Sequence, residues 1–184
     1  MKCGRLTRNW HWVTNITMAT NKMKKILCVL LLGAVAQGAW AAQPAPNGIS
    51  LPEDYKNWQL IAPSLRTDKN HLRAILGNEA AVRAAREDKV NPWPDGAMLA
   101  KLAWTIKTDE HWPAATVPAE FVQVEIMVKD AAKYAATGGW GFARWVGKDL
   151  KPYGKDAAFV QECFGCHTPV KDKDYVFTRL APLP

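Results

Sequence analysis

The feature that most constrains this chain is the pentapeptide Cys163-Phe164-Gly165-Cys166-His167 near its carboxyl end. Two cysteines separated by two residues and followed at once by a histidine form the attachment pattern of c-type haem. The two thiols span the two vinyl groups of a haem, and the adjacent imidazole supplies a nitrogen to the iron. The motif therefore predicts one covalent haem c, held by Cys163 and Cys166, with His167 as the iron ligand.

Three other structures can use the same two cysteines. In an oxidising compartment Cys163 and Cys166 can form a structural disulfide. A zinc site would need further cysteine or histidine ligands close by, and the sequence around the motif offers none. A thioredoxin-like redox pair expects a βαβ pattern, which is also lacking. The remaining cysteines, Cys3 and Cys28, lie far upstream.

The amino-terminal part reads as a leader. Residues 23–41 combine two lysines, an apolar run over 26–35 and an A-x-A cleavage pattern at 39–41. The run is shorter than the roughly 20 residues that a membrane-spanning helix needs. We therefore expect export to the periplasm with cleavage before Ala42 and no stable membrane anchor. Met23 is an alternative start of the chain.

The charge of the whole chain, +7, is a property of this leader. Residues 1–41 hold six of the 24 basic residues and none of the 17 acidic ones, which leaves 18 basic against 17 acidic residues. No polybasic block remains after residue 41, so we expect no nucleic-acid partner. The mature part predicts a flexible lead-in over 42–50 and a single domain over 51–184.

Hydrophobic periodicity in this domain predicts strands and short helices. The predicted strands cover 57–66, 71–76, 97–107, 121–129 and 140–146. The predicted helices cover 79–89, where Asn78 is the cap, then 130–136, and a short segment that ends in the cysteine motif. A short extended tail follows over 175–180. This order predicts an α+β fold with a mainly antiparallel β-sheet and a few short helices.

The chain resembles the cytochrome P460 family, which includes the β-sheet cytochromes c′. The resemblance covers roughly residues 51–180. It is carried by these segments: LRAILGN (72–78), PWPDGAMLAKLAW (92–104), VEIMVKD (124–130), GGWGF (138–142), CFGCH (163–167) and DYVFTR (174–179).

The resemblance implies a small antiparallel sheet over one haem face, five-coordinate iron with an open distal site and, often, a homodimer. In the P460 branch a lysine is joined covalently to the haem edge and hydroxylamine is oxidised. In the cytochrome c′ branch that bond is absent and nitric oxide or a similar gas is bound. Lys101 matches the cross-linking lysine by its place after Asp95-Gly96, and Arg73 matches a family arginine.

Lys101 and Glu125 interrupt two apolar strands, 97–107 and 121–129. If these strands pair, Lys101 and Glu125 share a face, together with Phe121 and Met127. Lys101 then tunes or cross-links the haem, or is an edge-strand lysine in solvent. Glu125 accepts protons from a bound substrate, or forms an ion pair with Lys101.

Two arginines and several further side chains are candidates for the surroundings of the haem. Arg73 can donate to an iron-bound ligand, pair with a haem propionate or form a surface salt bridge, and Arg144 is a weaker propionate candidate. The candidates for a sixth iron ligand are Met98, Met127, His71 and His111. The aromatic residues expected to wall the pocket and core are Trp104, Phe121, Trp140, Phe142 and Trp145.

Three functions remain open on the sequence. The first is a periplasmic mono-haem protein that carries out redox chemistry on a small nitrogen compound, hydroxylamine by resemblance, and passes electrons to another cytochrome. The second is a non-enzymatic binder of nitric oxide. The third is an electron carrier whose sixth iron site is closed by a protein ligand. Resemblance in fold does not decide among them.

Overall fold

The computed structural model of the protein describes residues 42–182. Its main element is a six-stranded antiparallel sheet in which each strand pairs with the next one along the chain. The strands are β1 Gln59–Arg66, β2 His71–Gly77, β3 Met98–Thr108, β4 Thr116–Lys129, β5 Trp140–Val146 and β6 Lys151–Pro152. The predicted leader over 1–41 lies outside the described residues.

Two α-helices accompany the sheet, α1 Glu79–Arg86 between β2 and β3 and α2 Val160–His167 after β6. Short 3₁₀ turns connect the other elements, at Tyr55–Asn57, Ala135–Thr137, Ala157–Phe159 and Thr168–Lys173. The predicted α+β fold with a mainly antiparallel sheet is confirmed. No helix within residues 42–182 is long and apolar enough to cross a membrane.

Helix α1 begins where the sequence predicts and ends three residues earlier. The Asn78 side chain accepts a hydrogen bond from the backbone N–H of Ala81 at 2.9 Å, as an N-cap does. At the other end Asp88 takes a left-handed conformation with φ 53°. The Lys89 N–H then donates to the carbonyl of Ala84 at 2.8 Å, which closes a Schellman motif and ends the helix.

Other predicted boundaries also change. Residues 130–136 do not form an α-helix. The Asp130 carboxylate accepts the Lys133 N–H, as an N-cap would, but only the short 3₁₀ turn Ala135–Thr137 follows. Strand β1 starts at Gln59 because the residues before it form a 3₁₀ turn. In the tail over 175–180, Tyr175 is not extended but has a φ of 62°, and residues 176–180 belong to no helix or strand.

The segment 42–50, predicted as a flexible lead-in, packs against the sheet. Ala45 and Ile49 are buried in a hydrophobic cluster with Trp145. The Trp145 indole N–H also donates to the Gln43 carbonyl at 2.7 Å. The folded body therefore includes residues upstream of Leu51, because this apolar pair covers a sheet face that would otherwise be exposed to water.

The sheet separates two hydrophobic clusters. One face carries Leu99, Phe142 and α1, and the other carries Ala100, Val124 and Trp145. Alternation of side chains along the regular parts of the strands produces this division.

Phe121 departs from the predicted pattern. The β3–β4 register changes between Ala103 and Trp104, so that Trp104 pairs with Phe121 and not with Val122. This irregularity turns Phe121 away from Glu125 and into the cluster that contains Val124. The prediction that Phe121 shares a face with Glu125 is therefore wrong.

Candidate functional site

A cavity of about 870 Å³ is lined by residues of β1 to β5, of the turn between β1 and β2, of α2 and of the segment after α2. All the predicted site residues line this cavity: Arg73, Lys101, Glu125, Cys163, Cys166 and His167. They come from positions spread over more than half of the described chain. The antiparallel pairing of neighbouring strands brings the charged residues together, and helix α2 adds the cysteine motif.

Helix α2 presents the three residues of the motif to this cavity. Residues three and four positions apart lie on the same side of an α-helix, so Cys163, Cys166 and His167 point in similar directions. Neither thiol is in a disulfide within the described part of the chain. Cys163 is half-buried, and burial raises the pKa of its thiol although the charge of Arg144 acts in the opposite direction.

The imidazole of His167 is held by the backbone. Its Nδ1 lies 2.7 Å from the carbonyl oxygen of Tyr175, and a carbonyl only accepts hydrogen bonds. Nδ1 therefore carries the proton, and the lone pair of Nε2 is left for a metal. Burial lowers the pKa of His167, which favours the neutral ring. The rings of Phe142 and Phe177 pack at 5.2 Å from the imidazole.

Glu125 is the centre of a polar network across three strands. Lys101 on β3 and Arg144 on β5 are its direct neighbours in register. Lys101 forms an ion pair with one carboxylate oxygen. The other oxygen lies 2.9 Å from Arg144 Nε, without hydrogen-bond alignment, and accepts from Gln123 Nε2 at 2.6 Å. The Lys101–Glu125 ion pair, one of the sequence-based alternatives, is thus present.

Arg144 is more central than the sequence indicates. It is close to Glu125, pairs with Glu162 at 3.3 Å and stacks on the ring of Tyr153 at 4.4 Å. Burial alone would lower its pKa, but the carboxylate of Glu125 and the other nearby groups more than offset burial and raise it. Gln123, Glu162 and Tyr153 were not predicted, because no local pattern indicates which residues meet an arginine on another element.

Arg73 leaves an unsatisfied donor beside the cavity. Its Nε is buried and has no hydrogen-bond partner among the described residues. Burial and, secondarily, the positive charge of Arg66 lower its pKa. A buried guanidinium donor without an acceptor is costly, so an anionic group in the cavity would stabilise it. A haem carries such groups as propionates, and this orphaned donor fits the prediction made from the motif.

The candidate sixth ligands lie in different places. Met127 and His71 line the cavity. Met98 packs on the opposite face of the sheet, against the cluster of Val124. His111 lies in the exposed loop between β3 and β4, where its backbone N–H donates to Asp109. The structure therefore leaves Met98 and His111 away from the cavity.

The aromatic candidates also divide between the two faces. Phe142 lines the cavity, and Trp140 is fully buried in the same cluster. Trp145 lies in the cluster on the other face, where Trp104 meets Phe121 edge to face with ring centroids 6.1 Å apart. Only part of the predicted aromatic wall therefore belongs to the cavity.

Together, a β-sheet floor, a helix bearing C-x-x-C-H and a histidine with a free Nε2 define a haem-binding cytochrome of the β-sheet class. The family model described as Cytochrome P460 matches residues 52–178. The chain belongs to the cytochrome P460 family, and it is a haem c cytochrome of the P460 type. No curated protein matches the chain.

Proposed function

We propose that the chain attaches one haem c through Cys163 and Cys166 and that His167 binds its iron. Each thiol adds across one vinyl group, so no atom is lost in forming the two thioether bonds. The convergence of these three residues on one cavity carries this proposal. A volume of about 870 Å³ lies within the range of roughly 300–1,000 Å³ that is usual for sites of small molecules and cofactors.

The activity we propose is redox chemistry in the periplasm on a small nitrogen compound such as hydroxylamine, with electrons passed to another cytochrome. A bound haem supplies a one-electron redox couple and an iron that binds small ligands. The chain supplies Arg73, Lys101 and Glu125 around the same cavity. Arg73 donates to an anion there, and Lys101 is the residue that can approach the haem edge.

The proposed role of Glu125 as proton acceptor requires a rearrangement. Lys101, Arg144 and Gln123 already surround both carboxylate oxygens. A proton reaches Glu125 only when one of these partners moves away. The movement of Lys101 toward a haem edge would free one oxygen, so the two roles proposed for Lys101 and Glu125 depend on each other.

The same network favours a second function. If Lys101 stays paired with Glu125, this carboxylate is not free to take protons from hydroxylamine. A cavity of this kind suits reversible binding of an uncharged gas such as nitric oxide. The second candidate is therefore a non-enzymatic gas-binding protein like the β-sheet cytochromes c′.

To test the proposal, the chain is expressed together with a c-type haem maturation system and purified. We expect intact mass to show one covalent haem per chain and peptide mapping to locate it on 163–167. Turnover of hydroxylamine with a cytochrome acceptor, lost in Glu125→Gln, supports the first function. Nitric oxide binding without hydroxylamine turnover supports the second. A matured chain without covalent haem would contradict both.

Replacement of Lys101 by Leu tests the covalent bond to the haem. A cross-linked wild type has a red-shifted ferrous Soret band, and the band returns to an ordinary c-type position in Lys101→Leu. Lys107→Leu, on the exposed end of the same strand, is the control and leaves the spectrum unchanged. Identical spectra for Lys101→Leu and wild type would rule the cross-link out.

A further inference from the structure

A buried ion pair lies outside the polar network of the cavity. The Nζ of Lys129, at the end of β4, is 2.8 Å from both carboxylate oxygens of Asp174. The two side chains are only 5% and 9% exposed. Removing two charges from water carries a large free-energy cost that their attraction need not offset, so a pair of this kind is poor evidence for stability alone. Its location indicates what it does.

The surroundings of this pair hold Asp174 at both its side chain and its backbone. The carboxylate accepts a hydrogen bond from the backbone N–H of Trp93 at 2.8 Å. The backbone carbonyl of Asp174 accepts one from the indole N–H of Trp140 at 2.9 Å. Lys129 Nζ also lies 5.1 Å from the ring centroid of Trp140 and 3.4 Å from the Gly138 carbonyl. Asp174 is thus fixed by contacts from β4, from β5 and from the loop before β3.

The backbone that follows is in an uncommon conformation. Asp174 and Tyr175 have φ of 50° and 62°, which is the left-handed region that side chains disfavour. Two consecutive residues of this kind persist only when surrounding contacts hold them. The result of the turn is that the Tyr175 carbonyl meets Nδ1 of His167 at 2.7 Å.

We propose that Asp174 and Lys129 are positioning residues for His167. The pair holds the turn at 174–175, the turn aims the Tyr175 carbonyl, and the carbonyl fixes the ring and tautomer of His167. This inference rests on the proposed role of His167 as iron ligand. A hydrogen bond at Nδ1 raises the basicity of the other ring nitrogen, so the pair strengthens the iron–histidine bond.

The experiment uses the matured holoprotein and two readouts: the iron–histidine stretching frequency from resonance Raman of the ferrous protein, and the reduction potential. Asp174→Ala removes the anchor of the turn. We expect a lower stretching frequency and a higher reduction potential. Asp174→Asn keeps an acceptor for the Trp93 N–H and tolerates a positive φ, so its shifts are smaller.

The double variant Lys129→Met/Asp174→Ala separates the effect of an unpaired Lys129 charge from the effect of losing the anchor of the turn at 174–175. It leaves no unpaired charge, and it is also the variant to measure if Asp174→Ala does not fold. The positioning role predicts that its stretching frequency stays low. The control is Val124→Ala, which creates a cavity in the hydrophobic cluster on the face of the sheet opposite the haem cavity. We expect it to lower stability and to leave the iron–histidine stretching frequency unchanged.

Three results would overturn the inference. The first is a wild-type stretching frequency in Asp174→Ala. The second is a shift that disappears in the double variant, which would make the effect one of charge alone. The third is a decrease in stretching frequency in Val124→Ala equal to that in Asp174→Ala. Failure of the proposed function looks different, because the wild-type chain would then carry no covalent haem to measure.

Discussion

Single residues of the cavity depend on partners from neighbouring strands. Glu125 meets Lys101 and Arg144 because the three stand side by side in the β3–β4–β5 register. Each of them would be costly in this half-buried place without the others. The charge of the cavity is therefore a property of the group and cannot be assigned to one residue.

Glu125→Gln tests this dependence. It leaves Lys101 and Arg144 without their carboxylate, and we expect the free energy of unfolding to fall by about 1–3 kcal/mol. Glu120→Gln is the matched control on the same strand, because the Glu120–Lys148 pair is 73% exposed at both side chains and its loss should change stability little. Urea unfolding of both variants measures the difference. Equal losses would contradict the prediction.

A pH effect is expected from Tyr55, which is buried and whose pKa burial raises above 10.0. Its folded-state pKa exceeds the unfolded value, so its contribution is complete below pH 10.0 and is lost as the pH rises through the folded-state pKa. We expect wild-type stability to fall more steeply above pH 10 than that of Tyr55→Phe. Unfolding midpoints measured from pH 8 to 11 test this, and parallel curves would refute it.

At the scale of elements, the start of α1 and the start of β3 share one residue. The Asn78 oxygen accepts N–H groups from both Ala81 and Met98, and its amide donates to the Gly96 carbonyl at 2.9 Å. One side chain thus caps the helix and joins it to the strand that carries Lys101.

Substitution at this position should show both roles. Asn78→Ala removes the cap and the link to β3, and we expect a loss of about 1–3 kcal/mol. Asn78→Asp keeps the accepting oxygen and loses only the donor to Gly96, so its loss should be smaller. Thermal unfolding of the two variants makes the comparison. An Asp variant as unstable as the Ala variant would show that the cap is not the main contribution.

At the scale of the whole molecule, α2 is held less firmly than the sheet. It buries none of its residues fully against the described part of the chain, whereas β5 buries most of its own. The helix faces the cavity that we propose for the haem. The haem is then a large part of what attaches α2 to the domain.

Removal of the haem tests this view. In Cys163→Ser/Cys166→Ser we expect a lower Tm and rapid amide exchange in α2, because the helix loses its main packing surface. Strands β3 to β5 should keep their protection, since their mutual backbone pairing and the hydrophobic cluster on the face opposite the cavity do not depend on the haem. Hydrogen exchange by mass spectrometry compares this variant with the holoprotein. Unchanged protection in α2 would contradict the prediction.

Much of the fold follows from local patterns in the sequence. Local patterns predict strand β5 to the residue and β2 and β3 to within one residue at each end, although β2 alternates less clearly, and Asn78 marks the start of α1. Alternation also predicts that Lys101 and Glu125 share a face if their two strands pair. These signals need only a few neighbouring residues, because the geometry of a strand or a cap repeats over two to four positions.

Other features depend on which distant residues meet. The irregularity beside Ala103 moves Phe121 to the other face, and Ala45 and Ile49 bury a segment that is rich in turn-forming residues. Neither effect leaves a local sequence signal. Burial of apolar surface decides both, and it depends on the complete fold.

The sequence by itself determined the cysteine motif, the strand pattern and the family resemblance that points to a haem. Only the tertiary structure decided what surrounds His167. Lys129 and Asp174 are 45 residues apart, and nothing in either segment indicates a pair. They meet because the end of β4 and the turn after α2 are packed against the same tryptophan, and a buried charge in such a place must find a partner of opposite sign.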